Sequence, residues 1–107
     1  MAQQDQPSTA LSGLKVLDLS RILAGPSATQ LFADLGADVV KVEQPAGDSS
    51  RNIGWRAEDG ETLWWKLANR GKRAITLDLK NHEDLATLKR MLSVADVLVE
   101  NLRPGKL

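Results

Sequence analysis

Four short aliphatic runs recur along the chain, and a segment with helical spacing separates each run from the next. The runs have the length of buried strands and occupy residues 15–19, 38–43, 73–78 and 96–100. Helices are predicted between them, over residues 25–35, 61–69 and 81–95. Alternating strands and helices are typical of a parallel sheet with right-handed crossovers. The chain is therefore predicted to be an α/β protein with a parallel sheet of the doubly wound kind.

The first predicted helix carries signals at both of its ends. Pro26 suits the first helical position, because its missing N–H would have no partner there. Gly36 supplies the left-handed residue that commonly follows the last turn. Between these ends, Ala28, Leu31 and Leu35 share one apolar face. The spacing indicates an amphipathic helix.

Composition and charge exclude several classes of protein. Among 107 residues, 14 basic side chains balance 14 acidic ones, so no net field attracts nucleic acid or anionic lipid. The absence of cysteine excludes a disulfide framework, a thiolate metal site and a cysteine nucleophile. His82 is the single histidine, and it is predicted to be solvated at a helix start rather than a ligand or base. No metal site and no tightly bound cofactor are expected.

Residues 1–10 are predicted to be a polar, flexible tail. They contain no basic residue and no apolar run, so they do not resemble a signal peptide. No stretch of about 18 apolar residues follows that could span a membrane. Residues 11–107 are expected to belong to one domain of a cytoplasmic protein without a membrane or nucleic-acid partner.

Polar and charged residues follow each predicted strand. They fall at residues 19–25, 43–48, 78–80 and 100–103, and open α/β sheets bind ligands at such carboxyl ends. Residues 44–60 form a long polar loop, and loops of that length in a compact domain are usually functional. The glycine patterns of dinucleotide-binding turns, phosphate-binding loops and nucleophile elbows are absent. A ligand site is expected at this edge, without the motifs of those classes.

Several groups of residues admit two interpretations each. The helix start at 21–27 is either an anion site or a capped structural helix. Trp64 and Trp65 are ligand-stacking or core residues, and adjacent helical positions point about 100° apart, which favours a core or interface role for at least one. Asn101 is either a turn-stabilising amide or a ligand contact.

Basic side chains form another group with two interpretations. They either hold phosphates through charge-assisted hydrogen bonds or are solvated surface charges. The residues are Arg51, Arg56, Arg70, Lys72, Arg73 and Lys80.

Five motifs in order resemble the start of class III CoA-transferases, a family that also contains carnitine-CoA transferases, formyl-CoA transferases and α-methylacyl-CoA racemases. The motifs are LKVLDLSR at 14–21, LAGP at 23–26, DLGADVVKVE at 34–43, KR at 72–73 with LDLK at 77–80, and ADVLVENLRPG at 95–105. The resemblance implies a Rossmann-like domain, the N-terminal part of a larger fold in which two subunits interlock as a homodimer. It also implies acyl-CoA and carboxylic acid substrates.

The resemblance further implies that coenzyme A lies across the strand ends. Contacts are expected at Leu23, Ala24, Gln44, Leu77, Asp78, Leu79, Lys80, Asn101, Leu102 and Arg103. Lys80 is the expected phosphate cation, and Ala24 is expected near the thioester. The family's nucleophile is an aspartate that takes the acyl group as a mixed anhydride. No aspartate here matches it, so no catalytic residue is assigned; it is expected beyond Leu107, and these residues alone are expected to be inactive.

Some positions depart from the family pattern, and several interpretations of function follow. Gln44 replaces a cation or proline, Gly71 an asparagine, His82 a proline, and Leu102 an aromatic residue that would cover the adenine. A transferase, a racemase-type enzyme and a non-catalytic CoA-binding fragment are all compatible with the motifs. The long segment 44–73 favours the transferase, because racemase-like members have a shorter one.

Overall fold

A computed structural model describes residues 9–107 as a four-stranded parallel sheet with helices on both faces. The strands are β1 Lys15–Asp18, β2 Asp38–Glu43, β3 Arg73–Thr76 and β4 Val97–Val99. The helices are α1 Ala24–Asp34, α2 Leu63–Ala68 and α3 His82–Leu92. This confirms the predicted α/β fold. Most of the predicted tail, residues 1–8, lies outside the described residues.

The strand order places β1 and β4 side by side at a topological switch point. The order is β3-β2-β1-β4, so the chain steps outward from β1 through β2 to β3 and then returns to pair β4 with β1. In such sheets the crevice beyond the carboxyl ends of the strands at the switch point is the usual ligand site. The topology thus directs attention to the residues that follow β1 and β4.

Apolar side chains pack on both faces of the sheet, which explains why the strands read as continuous aliphatic runs. One core cluster contains Leu17, Leu19, Val42, Leu77 and Leu88, with residues of α3 packed against it. The other cluster lies on the α1 face and contains Val16, Ala37 and Val39, with Phe32 and Ala33 packed against it. The two central strands, β1 and β2, therefore contribute to both cores, whereas the edge strands β3 and β4 each contribute to one.

Helix α1 ends as predicted but begins earlier and buries a different face. Gly36, at φ 100°, follows the last turn, and Ala37 N–H donates to the Phe32 carbonyl at 3.0 Å. Leu23 is the N-cap, so Pro26 is the third helical residue. A backbone N–H at that position would still have no helical partner, so proline is tolerated there. Leu31 remains 54% exposed.

The buried face of α1 is set by Thr29 and Pro26 rather than by the leucines. The Thr29 hydroxyl donates to Asp18 Oδ2 at 2.5 Å, and Thr29 is fully buried. Burial of the Asp18 carboxylate requires hydrogen bonds. This requirement orients the helix and leaves Leu31 and Leu35 on its outer side.

Candidate functional site

The carboxyl ends of all four strands open onto one groove with a volume of about 830 Å³. Eight of the ten residues predicted to contact coenzyme A line it. They are Gln44, Leu77, Asp78, Leu79, Lys80, Asn101, Leu102 and Arg103. The other lining residues were not among the predicted contacts. Five of them fall in the segments predicted at the ligand edge, namely Leu19, Arg21, Ile22, Pro45 and Ala46, whereas Val42 and Lys106 fall outside those segments. The groove thus joins segments that lie far apart in sequence.

Leu23 and Ala24 do not line the groove, because the chain turns sharply just before them. Ile22 has φ 73°, and Leu23 N–H donates to the Arg21 carbonyl at 3.1 Å, which makes residues 21–23 a γ-turn. This turn brings Arg21 and Ile22 to the groove and starts α1 outside it. No other non-glycine residue in 9–107 has a positive φ.

Asn101 ties this γ-turn to the end of β4. Its Oδ1 accepts a hydrogen bond from Arg21 N–H at 3.0 Å, and its Nδ2 donates to the Arg21 carbonyl at 2.9 Å. One side chain therefore pairs with both polar backbone groups of one residue across the switch point. Asn101 therefore stabilises a turn, although this turn is the one at 21–23 rather than the one that follows β4, and Asn101 also lines the groove.

Hydrogen bonds also fix the turn after β3, which carries Lys80. Asp78 Oδ1 accepts from Lys80 N–H at 3.0 Å, and Asp78 N–H donates to Asp84 Oδ2 at 2.8 Å. Asn81 caps α3 by accepting from Glu83 N–H and Asp84 N–H. The Asp84 carboxylate does not return to the Asn81 N–H, as it would in a capping box, because it accepts a hydrogen bond from Asp78 N–H instead. The Lys80 side chain projects from a well-fixed backbone.

Four basic side chains line the groove, and within residues 9–107 none of them has a carboxylate within 4.0 Å. They are Arg21, Lys80, Arg103 and Lys106. Unpaired cations beside apolar walls suit an elongated ligand with phosphate groups, because phosphates accept charge-assisted hydrogen bonds.

The basic cluster before β3 has a different role from the phosphate binding that was considered for it. Arg70 pairs with Asp34 at 2.8 Å and Arg73 pairs with Asp38 at 2.8 Å. Lys72 is buried beside Asp18 at 2.9 Å. The cluster ends at Arg73, the first residue of β3, so it lies at the opposite end of that strand from the groove.

A buried polar network supports the first turn from below. Asp18 is 0% exposed and accepts hydrogen bonds from Ser20, Thr29 and Lys72. Burial alone would raise the pKa of Asp18, but these hydrogen bonds and the Lys72 charge outweigh it and hold that pKa below its ordinary value. Burial also lowers the pKa of Lys72, against the opposing effect of Asp18. The network fixes the strand end from which the turn departs.

The long segment after β2 folds back onto the same strand end. Lys41 is 1% exposed and donates to Asp48 at 3.0 Å. Arg51 pairs with Glu43 and lies 3.7 Å above the ring of Trp65. The predicted loop 44–60 contains a short 3-10 helix at Ser49–Asn52, so it is ordered rather than a featureless connection.

The two tryptophans of α2 have different surroundings. Trp65 is 7% exposed beneath Arg51, which makes it a core residue. Trp64 is half-buried, and its Nε1 donates to the Ile22 carbonyl at 3.4 Å. The expectation of a core role for at least one of the pair is confirmed by Trp65.

Two other structural tests concern metals and membranes. In the part of the chain from residue 9 onward, no group of three potential metal-ligating side chains comes together. No helix in that same part is long and apolar enough to cross a bilayer. His82 is exposed at the start of α3, as predicted.

These features define a doubly wound α/β protein with a cation-lined groove at its switch point. The model of CoA-transferase family III matches residues 11–107, so the chain belongs to that enzyme family. This confirms the family that the sequence motifs indicated.

Individual relatives agree with the family assignment. The chain is 45% identical to the succinyl-CoA–D-citramalate CoA-transferase of Chloroflexus aurantiacus over 95% of its own length and 26% of that protein. It is 47% identical to the succinate–glutarate CoA-transferase of Agrobacterium fabrum over 87% of its length and 25% of that protein. A CAIB/BAIF family protein from Brucella suis superposes with a TM-score of 0.85 at 44% identity, covering 92% of this chain and 27% of that one. The chain thus spans about a quarter of the length of these relatives.

Proposed function

We propose that the whole protein moves coenzyme A between an acyl-CoA and a carboxylic acid, and that the groove binds the coenzyme A part of both thioesters. The observation that carries the proposal is the groove itself. It gathers residues from all four strand ends and carries cations without carboxylate partners in residues 9–107. Both relatives described above are named CoA-transferases, which favours transfer over racemisation.

The proposed route is covalent catalysis by an aspartate outside residues 1–107, as the family resemblance implies. Its carboxylate attacks the thioester carbonyl, the C–S bond breaks, and coenzyme A leaves as a thiolate while a mixed anhydride forms. The thiolate then attacks the aspartyl carbonyl and expels the first carboxylate, which leaves an aspartyl thioester. The second carboxylate expels the thiolate to form a new mixed anhydride, and the thiolate attacks its acyl carbonyl, which gives the new thioester and frees the aspartate. Asp18 does not fit this role, because it is 0% exposed and bonded to Lys72.

The proposed acids are dicarboxylic. The names of both relatives pair acids with a carboxyl group at each end, namely succinate, glutarate and citramalate. A second carboxylate needs a cation that the coenzyme A phosphates do not occupy. Arg21 fits this need, because it lies at the groove on the turn that precedes α1, where the thioester is expected.

A homodimer of interlocked subunits is also proposed. The resemblance implies it, and several leucines on the outer sides of α1 and α2 support it. Leu31, Leu35, Leu63 and Leu67 are each at least 40% exposed. Grouped apolar side chains at a surface favour association.

A transfer assay tests the proposed function. The whole protein is incubated with succinyl-CoA and either glutarate or butyrate, and new thioesters are identified by mass spectrometry. We expect glutaryl-CoA to form faster than butyryl-CoA, and Arg21→Met to reduce this preference by about tenfold, since one charged hydrogen bond is removed. Failure to transfer coenzyme A to any acid in a broader panel would contradict the proposal.

A further inference from the structure

We infer that Asn101 is a positioning residue that holds the strained γ-turn at 21–23 and so places Ile22 and Arg21 at the groove. The inference rests on the proposed function, because it assigns a role at the proposed coenzyme A site. It differs from the contact role that the family resemblance implies for Asn101. The carboxamide acts here on the protein backbone.

The Asn101 carboxamide pairs with β1 in the way that the backbone of a neighbouring strand would. Leu19 N–H donates to the Val99 carbonyl at 2.8 Å, which extends the pairing of β1 with β4. Two residues later, Arg21 bonds through both its N–H and its carbonyl to the Asn101 side chain. The side chain thus continues the pairing at the point where the β4 backbone has turned away.

Asn101 holds a turn whose backbone conformation is energetically unfavourable for isoleucine. A β-branched residue at φ 73° is a conformational outlier, and γ-turns of this kind are strained. Such conformations persist where the surroundings over-determine them. A contact across the switch point, made by residues 80 positions apart, supplies that constraint.

Few other contacts restrain the turn. In residues 9–107, Asn101 is the one side chain that bonds to the backbone of Arg21. Trp64 Nε1 reaches the Ile22 carbonyl at 3.4 Å, at the long end of the hydrogen-bond range. The Asp18 network acts on Ser20, before the turn begins. Removal of the Asn101 carboxamide should therefore release the turn while the end of β1 stays folded.

Positioning and direct contact predict different couplings between Asn101 and Ile22. If Asn101 positions the turn, its loss lets Ile22 leave the positive-φ region. Only a small fraction of molecules then has a groove that can bind the ligand. Apparent affinity falls by that fraction. Glycine occupies positive and negative φ about equally, so a turn with Ile22→Gly stays competent much more often without Asn101. If Asn101 instead contacts the ligand, residue 22 does not alter the cost of removing it.

A double-mutant cycle measured on the whole protein separates these cases. The KM for the acyl-CoA and kcat are measured for wild type, Asn101→Ala, Ile22→Gly and the double variant. We expect Asn101→Ala to raise KM about tenfold in the wild type and about twofold in the Ile22→Gly background, with kcat little changed. An equal rise in both backgrounds, or no rise in either, would overturn the inference. If Asn101→Ala does not fold, the same cycle is made with Asn101→Asp, which keeps the acceptor for Arg21 N–H.

A readout independent of coenzyme A distinguishes failure of the inference from failure of the proposed function. Amide hydrogen exchange of Arg21 and Leu23 reports the turn directly, because both N–H groups are bonded in it. Asn101→Ala should accelerate their exchange at least about tenfold while the amides of β1 keep their protection. Unchanged exchange would refute the positioning role even in a protein that transfers coenzyme A. Accelerated exchange in a protein that binds no coenzyme A would leave the positioning intact and refute the site.

Discussion

At the scale of single residues, the site depends on charges that the fold has buried and paired. Asp18 and Lys72 are 0% and 1% exposed in their side chains and lie 2.9 Å apart beneath the first turn. A buried pair is costly to form, but it is more costly to break, because the remaining charge has no partner. These two residues should therefore matter much more than the surface pairs around them.

Lys72→Met is predicted to destabilise the whole protein by about 3 kcal/mol near neutral pH, since the Asp18 carboxylate stays buried without its cation. The surface variant Arg73→Met is the control, because its pair with Asp38 is largely exposed and should contribute at most about 1 kcal/mol. Urea unfolding of both variants checks the difference. Equal costs would show that burial of the Lys72–Asp18 pair has no special consequence.

The same pair gives a pH dependence of known sign. The pKa of Asp18 is lowered in the folded protein, so its contribution to stability is present above the unfolded pKa and is lost as pH falls through the folded one. In Lys72→Met the pKa of Asp18 rises, because burial is no longer opposed by the cation. The deficit of the variant should therefore shrink as the pH is lowered. A deficit that is constant with pH would contradict this assignment.

At the scale of elements, the start of α1 is fitted closely against the end of β1. A Cβ added at Gly25 would lie 2.1 Å from Ser20 Cβ and 2.3 Å from Ser20 Oγ. The backbone of Gly25 needs no unusual φ, so glycine is required here for space. This approach places the helix beside the γ-turn that lines the groove.

Gly25→Ala is predicted to destabilise the protein although alanine has the higher helix propensity by about 1 kcal/mol. The added methyl group must displace Ser20, which is bonded to Asp18. In a Ser20→Gly background the methyl group has room, so the same substitution should be neutral or stabilising. Melting temperatures of the four proteins in this cycle measure the coupling. A Gly25→Ala protein as stable as the wild type would show that Ser20 can move aside without loss of stability, which would contradict this prediction.

Most of the elements could be predicted from the sequence because they carry their own periodic or capping signals. Gly36 and Asn81 mark helix ends by local chemistry, and the aliphatic runs mark strands. Arg21 and Ile22 fall in a segment predicted at the ligand edge, but the γ-turn that they form could not be predicted, because a positive φ at isoleucine has no sequence signature. Lys72 read as a surface charge, since its burial depends on Asp18, 54 positions earlier. Contacts across the switch point decide what local patterns leave open.

At the scale of the whole molecule, the groove gathers four cations that have no carboxylate partner within residues 9–107, while several other cations are held in the scaffold by ion pairs. Arg51, Arg70, Lys72 and Arg73 have carboxylate partners, whereas Lys80 has none within residues 9–107. Lys80 also projects from a turn that Asp78 and Asp84 fix in place. A cation carried on a fixed turn at the strand ends is the feature on which the proposed coenzyme A site depends most.

The most direct measurement is the Kd of coenzyme A for the whole protein and for Lys80→Ala, obtained by isothermal titration calorimetry. Lys89→Ala is the matched control, because Lys89 is exposed on α3 and does not line the groove. One charged hydrogen bond contributes about 1.5–3 kcal/mol, so Lys80→Ala should raise the Kd about tenfold to a hundredfold while Lys89→Ala leaves it unchanged. A folded Lys80→Ala protein that binds coenzyme A as tightly as the wild type would contradict the assignment of this groove as the coenzyme A site.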